Sequence, residues 1–382
     1  MSLLFIVERN LRNQMGHFPG QIRAISQFSS AVNIHVITRS GTEKLPFSAL
    51  PDRQPERIKL HSVLVPPREA AKSKNPVRIA TTDAQNVIRI ASEMGAVSSD
   101  TIIIPSGAPH DLRVALLIAV NDGPKIVVRI LALSHFNVLA TAEIKELRVQ
   151  QKADRIHLSC ETEEMSQAVN DHFDLDCRAD FILPCNVLPN DGVPNRVQNG
   201  TFRAGMLGGP RGEKGSFRLP AIVRSIATKS REMDDPPKIT IVAQASLKLQ
   251  MRTLAMLWHL LRAKLIPGNP QIEIIWGAQS NENYRAALFS LDCVLVPYRL
   301  DRYATSGSGM IIDAVNAAIP IIRTHDMAMS KLMSVGNSIE ATKDDEIAAA
   351  ILQMAVNPVP FFEATKHART ALQARVNELP FK

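Results

Sequence analysis

Two loops of small residues hold the side chains best suited to grip an anion. The first is Gly208-Gly209-Pro210-Arg211-Gly212-Glu213-Lys214-Gly215, where two cations stand three residues apart among glycines. A guanidinium meets phosphate oxygens as a planar fork, and an ammonium meets them as a point charge. This is not a Walker loop, because no Ser or Thr follows Lys214, and its glycines miss the dinucleotide fingerprint spacing. The second loop is Ser306-Gly307-Ser308-Gly309, followed at helical spacing by Met310, Ile311, Ile312, Ala314 and Val315. A Gly-rich loop that feeds a helix offers free backbone N–H groups and the positive end of the helix dipole. Asp313, on the second turn of that helix, then faces whatever lies beyond the phosphate. Together the loops read as a phosphate-ester or nucleotide pocket.

Such loops need rigid strands and helices behind them, and the chain supplies both in alternation. In the first half, short apolar runs at 3–7, 33–38, 58–65, 101–105, 125–130, 155–159 and 180–184 predict strands. Helical patterns lie between them at 21–30, 77–94, 112–120, 139–151 and 163–173. Residues 184–200, with three prolines and two glycines, break the pattern and predict a domain boundary. Beyond it, strands are expected at 202–207, 238–243, 271–276, 292–296, 319–323 and 338–341. Helices are expected at 215–228, 247–263, 281–290, 308–318, 344–356 and 361–376, and residues 298–307 read as a loop. The predicted fold class is α/β, two Rossmann-like doubly wound parallel-sheet domains facing across a cleft. The expected boundaries are 1–190, 191–358 and a terminal helix within 359–382.

The chain has 382 residues, and 45% are hydrophobic, enough for two ordinary cores. No run approaches the ~18 apolar residues of a membrane span. The start, MSLLFIVERN, has no basic leader and reads as a first strand, so a cytoplasmic location is expected. Cys160, Cys177, Cys185 and Cys293 are scattered without metal-type spacing and are expected as free thiols. The formal charge of +7 is uneven: residues 1–190 carry 21 Lys and Arg against 20 Asp and Glu. Residues 191–231 alone carry 8 basic and 2 acidic side chains, which suits an anionic ligand or a solvated helix face equally. Aromatic residues are 5% of the chain and do not interleave with basic ones, so nucleic acid is excluded as a partner.

Four segments carry a family resemblance: DFILPCNVL, GMLGGPRGEKGSFRLPAIVRSI, WGAQSNENYRAALFSLDCVLVPY and TSGSGMIIDAVNAAIPII. On these the chain resembles GT-B-fold, nucleotide-sugar-dependent glycosyltransferases of the group 1, family 4 type. The resemblance is close over residues 180–356 and architectural before them. It implies a hexosyltransferase that moves sugar from a nucleoside diphosphate sugar to a carbohydrate, lipid-linked or small-molecule acceptor, with retention. The donor is a co-substrate and no cofactor is implied. The family's Arg and Lys on the donor diphosphate fall on Arg211 and Lys214, with Gly209, Ser308, Gly309 and Met310 beside them. Gly277, Tyr284 and Asp313 fall on the nucleoside side. The terminal helix would return to the first domain.

Three positions depart from the family pattern. Its two glutamates, eight positions apart, correspond to Thr305 and Asp313, and a family glycine corresponds to Ala318. Asp301 is the nearest alternative carboxylate for the sugar. In the first domain, Gly16 and His17 match a Gly-rich loop facing the donor, where the alternative for His17 is an exposed loop position. His110 and His135 follow strands on the acceptor side. His110 either touches substrate or belongs to a capping loop with Asp111, and His135 either touches substrate or packs on the sheet. Catalytic candidates are thus His17, His110 and Asp313. No metal is expected, since Arg211, Lys214 and the helix start at Ser308 can offset leaving-group charge. Two rival readings are a glycosyltransferase-like binding or scaffold subunit without turnover and a sugar-nucleotide epimerase. Peripheral membrane contact stays open, although the near-neutral first half offers no polybasic surface.

Overall fold

The computed structural model describes residues 2–11, 17–42, 57–72, 75–186, 200–245, 251–264 and 270–382. The chain divides into two compact units. The first comprises Met1–Cys185, Thr305–Gly307 and Arg375–Lys382; the second comprises Asn186–Ala304 and Ser308–Ala374.

The first unit is built on β1 (Leu3–Glu8), β2 (Asn33–Arg39), β3 (Ile58–Leu64), β4 (Thr101–Gly107), β5 (Lys125–Ile130), β6 (Ile156–Ser159) and β7 (Cys177–Arg178). They form one parallel sheet in the order β3-β2-β1-β4-β5-β6-β7. The central strands are buried almost throughout, as a sheet covered on both faces requires. Its helices are α1 (His17–Phe28), α2 (Pro67–Lys72), α3 (Pro76–Glu93), α4 (Pro109–Ala119), α5 (Thr141–Lys152) and α6 (Glu163–Phe173). Val87 and Ile90 of α3, Leu112 and Ala115 of α4, and Leu147 of α5 pack on Phe5, Ile102, Ile126 and Val128 of the sheet.

The second unit has β8 (Thr201–Met206), β9 (Lys238–Ala245), β10 (Gln271–Trp276), β11 (Cys293–Val296), β12 (Ile321–Arg323) and β13 (Ser338–Glu340). All pairings are parallel, in the order β10-β9-β8-β11-β12-β13. The helices are α7 (Leu219–Ser230), α8 (Met251–Lys264), α9 (Asn281–Phe289), α10 (Leu300–Tyr303), α11 (Gly309–Asn316), α12 (Ser330–Met333), α13 (Asp344–Val356) and α14 (Val359–Val376). Ile222 and Ile226 of α7, Leu257 and Leu260 of α8, and Ile347 and Ile351 of α13 close on Ile241, Ala243 and Leu295. In each unit the strand order reverses beside the first strand, between β1 and β4 and between β8 and β11. In open α/β sheets the carboxyl ends of the strands at such a reversal are the usual ligand position.

The structure corrects three expectations. No strand forms at 180–184. The short β7 precedes it, and Asp180 instead accepts hydrogen bonds from Ser159 Oγ at 2.6 Å and meets His157 Nε2 at 2.7 Å. The helix expected from 215 begins at Leu219, because Gly215, left-handed at φ +71°, ends one 3-10 turn and a second, Ser216–Arg218, leads into α7. The loop expected over 298–307 contains the single-turn α10. The four cysteines are free and buried.

Candidate functional site

The reversal between β8 and β11 brings the first loop to the residues that follow β11, and Tyr298 there joins Lys214 to Ser308 at the start of α11. The backbone N–H of Arg299, after β11, donates to the Glu213 carbonyl at 2.9 Å. Gly208 at φ +94° and Gly215 at φ +71° give the first loop its course. A Cβ on Gly215 would lie 2.2 Å from the Pro297 carbonyl oxygen, and one on Gly208 would lie 3.2 Å from Lys214 Nζ. Only glycine fits the first of these positions, so this glycine is what allows Lys214 to reach the β11 loop.

Lys214 is half-buried, and its ammonium stands 5.6 Å from the centre of the Tyr298 ring. Tyr298 is fully buried, and burial pushes its phenol up to about 12. Its ring lies 4.4 Å from that of Tyr303, and its hydroxyl accepts from Ser308 Oγ at 3.5 Å. Burial, then the charge of Arg211, holds the Lys214 ammonium below its usual pKa. Among the described residues no carboxylate or carbonyl bonds to that ammonium, and the Glu213 carboxylate acts on it only through space, so the cation is desolvated without a bonded counter-ion. Arg211 is more exposed, 3.6 Å from Glu213, and its backbone N–H donates to Ser216 Oγ at 3.2 Å.

The start of α11 completes the donor set. Among the described residues its first two N–H groups, on Gly309 and Met310, have no backbone acceptor, whereas Ile311 and Ile312 donate back to the Ser308 carbonyl. A Cβ on Gly309 would meet nothing within 4 Å, so the space before the helix is open. Ser308 N–H itself is taken by Met329 Sδ at 3.2 Å. Tyr284 Oη donates to Met310 Sδ at 3.4 Å, which brings a nucleoside-side candidate to the same helix end.

Gln244, at the end of β9, is a residue that sequence reasoning missed. Its Oε1 accepts from Gly208 N–H at 2.6 Å, and its Nε2 donates to the Gly277 carbonyl at 2.7 Å. One buried amide thus fixes the loops after β8 and β10. A polar residue at the end of an otherwise apolar strand was the only signal for it.

The other candidates lie elsewhere. Asp313 is 1% exposed, and its carboxylate accepts from the Asn186 N–H at 3.2 Å and from Asn186 Nδ2 at 2.7 Å. Asp301 is exposed and paired with Arg299 at 2.8 Å. Thr305 is counted with the first unit, its carbonyl accepting from Thr162 Oγ1 at 2.5 Å. His110 Nε2 is 2.8 Å from Asp83 Oδ2, and Asp111 accepts from Ala108 N–H at 2.9 Å, the capping arrangement. His135 Nδ1 is 2.9 Å from the Gly107 carbonyl. Gly16 and the side chain of His17 lie outside the described residues.

The first unit also concentrates polar groups at its own reversal point. Glu8 ends β1 and Ser106 lies near the end of β4; Ser106 Oγ donates to Glu8 Oε2 at 2.5 Å. Burial raises the Glu8 carboxyl to about 7. Beside it, Arg9 Nε is 3.9 Å from Asp111, and among the described residues no hydrogen bond reaches Arg9 Nε or Nη1. Among the described residues no group of three or more His, Cys, Asp or Glu is placed to hold a metal ion. No single described helix is long and apolar enough to cross a membrane.

No protein-family model and no curated protein matches the chain. Solved structures do. An E. coli trehalose-6-phosphate protein bound with UDP-2-fluoro glucose superposes with TM-score 0.67 at 13% identity, covering 98% of this chain and 96% of that one. Sucrose-phosphate synthase from Thermosynechococcus elongatus gives 0.66 at 11% identity, covering 99% and 95%. Anabaena HepE in complex with UDP gives 0.61 at 12% identity, covering 99% and 97%. With two parallel-sheet units matched over nearly their whole length to these proteins, the chain has the GT-B fold.

Proposed function

We propose that this protein is a glycosyltransferase that takes its sugar from a nucleoside diphosphate sugar. The observation that carries the reading is Lys214: a half-buried ammonium with a depressed pKa, no bonded counter-ion among the described residues, and a helix start with unbonded N–H groups in the adjoining loop. A diphosphate supplies the missing negative charge. In the forward reaction that charge grows as the bond from the sugar to the diphosphate breaks. Lys214, Arg211 and the N–H groups of Gly309 and Met310 would then hold the departing oxygens more tightly than they hold the intact donor. Retention, independence from metal and a hexose donor are part of the proposal. Uridine is the base we favour, since two of the structural neighbours are described with UDP or a UDP sugar. The acceptor is assigned to the first unit, on the side of His110 and His135.

Replacing Lys214 by Ala is expected to lower turnover by about 100-fold, roughly 3 kcal/mol of transition-state stabilisation. Nucleoside diphosphate release with purified donor and a panel of sugar acceptors measures it, and an unchanged rate removes the phosphate assignment. One observation favours a second reading. Both oxygens of Asp313 are occupied by Asn186, so it reaches a ribose only by giving up those bonds. A donor-binding subunit without turnover would bind nucleoside diphosphate yet release none with any acceptor.

A further inference from the structure

We propose that Gln244 is a positioning residue for the nucleoside diphosphate, acting through Gly208 on Lys214 and tying the diphosphate loop to the loop on the nucleoside side. This role rests on the donor site proposed above and adds a residue of β9 to it. Strand β9 reads KITIVAQA, apolar from Ile239 to Ala245 but for Thr240 and Gln244. Ala243 and Ala245 lie in the core cluster with α7 and α8, so Gln244 between them projects from the opposite face of the sheet. There it is 8% exposed. It pairs in register with Ile275 of β10, and its neighbour Ala243 with Met206 of β8, so it stands between the two loops that leave those strands.

A buried amide is destabilising unless both its ends are bonded, and here both are. Oε1 accepts from the Gly208 N–H at 2.6 Å, and Nε2 donates to the Gly277 carbonyl at 2.7 Å. Because one partner is a donor and the other an acceptor, the amide is held in a single orientation. On the β8 side the effect reaches Lys214. A Cβ at Gly208 would lie 3.2 Å from the ammonium, so Nζ rests against the residue that Gln244 holds. With no bonded counter-ion among the described residues, that ammonium is placed by packing against Gly208 and Tyr298. On the β10 side, Gly277 gives its own N–H to the Ala245 carbonyl at 2.9 Å, and its carbonyl also accepts from Gln279 Nε2 at 3.3 Å. Its polar groups are engaged, so what Gly277 offers a nucleoside is the course of its loop rather than a hydrogen bond. One side chain thus sets the cation on one loop and the backbone of the other. Misplacing such a group by about 1 Å costs on the order of a hundredfold in rate.

Titration calorimetry on the full chain gives dissociation constants for UDP, GDP and ADP, and the tightest ligand is carried through the variants. Gln244→Met keeps the length of the side chain and removes both hydrogen bonds; it is expected to weaken binding at least about tenfold. Gln244→Glu is the conservative partner. At acidic pH its protonated carboxyl accepts from Gly208 and donates to Gly277 as the amide does, so binding is expected within about twofold of the native protein at the same pH. As pH rises, the carboxylate loses the proton it gave to Gly277, and binding should fall away from the native value. Added to Lys214→Ala, Gln244→Met is expected to cost less than about threefold more, because the cation it places is already gone. Where Gln244→Met does not fold, Gln244→Glu read across pH carries the test alone. Native-like binding by Gln244→Met, while Lys214→Ala abolishes binding, would overturn the assignment and leave the donor site standing. So would equal losses in Gln244→Met and protonated Gln244→Glu, or an undiminished further loss on top of Lys214→Ala. Binding that survives Lys214→Ala, or no binding of any of the three nucleotides, removes the donor site and the role of Gln244 with it.

Discussion

Ala318 holds a left-handed backbone, φ +52°, just after α11, with its carbonyl accepting from Thr365 Oγ1 at 3.0 Å. The family resemblance places glycine there, and the geometry gives the reason. An L side chain at this φ strains against its own backbone by about 1–2 kcal/mol, which glycine avoids. Glycine gives back part of that through a freer unfolded chain and the loss of one buried methyl. Ala318→Gly is therefore expected to stabilise the protein by about 1 kcal/mol, read by urea unfolding. A loss of stability would mean that the methyl's packing outweighs the strain. Gly215 shows the opposite case, where no side chain has room. These two positions differ in sequence only by a methyl, and neither flank discloses which φ it must adopt.

At the scale of elements, β1 and β2 each bury a titratable group, and the two respond to pH in opposite directions. Glu8 ends β1, and burial raises its carboxyl from 4.5 to about 7. Between those values the folded state binds more protons than the unfolded one, so this group's contribution to stability falls as pH rises. His35 of β2 stacks on Phe5 at 5.1 Å, and its Nδ1 is 3.0 Å from Nε2 of His61 on β3. Burial first, then His61 and Lys59, lowers His35 from 6.5 to about 4. There the unfolded state binds more protons, and stability is lost as pH falls through that window. In the native protein the two trends offset each other over a shared range. Glu8→Gln should remove the first and leave stability rising with pH from about 4 to 6.5; above about 7 the variant should be the more stable by roughly 3 kcal/mol. Urea unfolding at a series of pH values measures both, and a variant with the native pH profile would refute the Glu8 assignment.

Each unit has its own sheet, core and reversal point, so a ligand held by one unit should act on that unit's stability. A nucleoside diphosphate on Lys214 and the α11 start contacts residues of the second unit. At about 100 times its dissociation constant it should add roughly 2.7 kcal/mol to the state that binds it. Scanning calorimetry with UDP is expected to raise the transition of the second unit, and Lys214→Ala to cancel that rise. A shift that survives Lys214→Ala would place the nucleotide elsewhere.

Local chemistry settled the alternation of strands and helices, because burial on both sheet faces forces apolar runs, and it marked the small-residue loops around Lys214 and Ser308 as candidates. It also marked Ala318 and Thr305 as departures. What the local pattern does not contain is partner choice. That Gln244 joins two loops, that Glu8 meets Ser106, that Asp313 faces Asn186, and that Tyr298 lies beneath Lys214 depend on strands far apart in sequence becoming neighbours. An outward row on α8 is likewise invisible in one dimension, since Leu254, Trp258 and Leu261 read as core until the sheet takes the opposite face. Residue types fix which contacts are favourable, and only the parallel-sheet order fixes which of them are made.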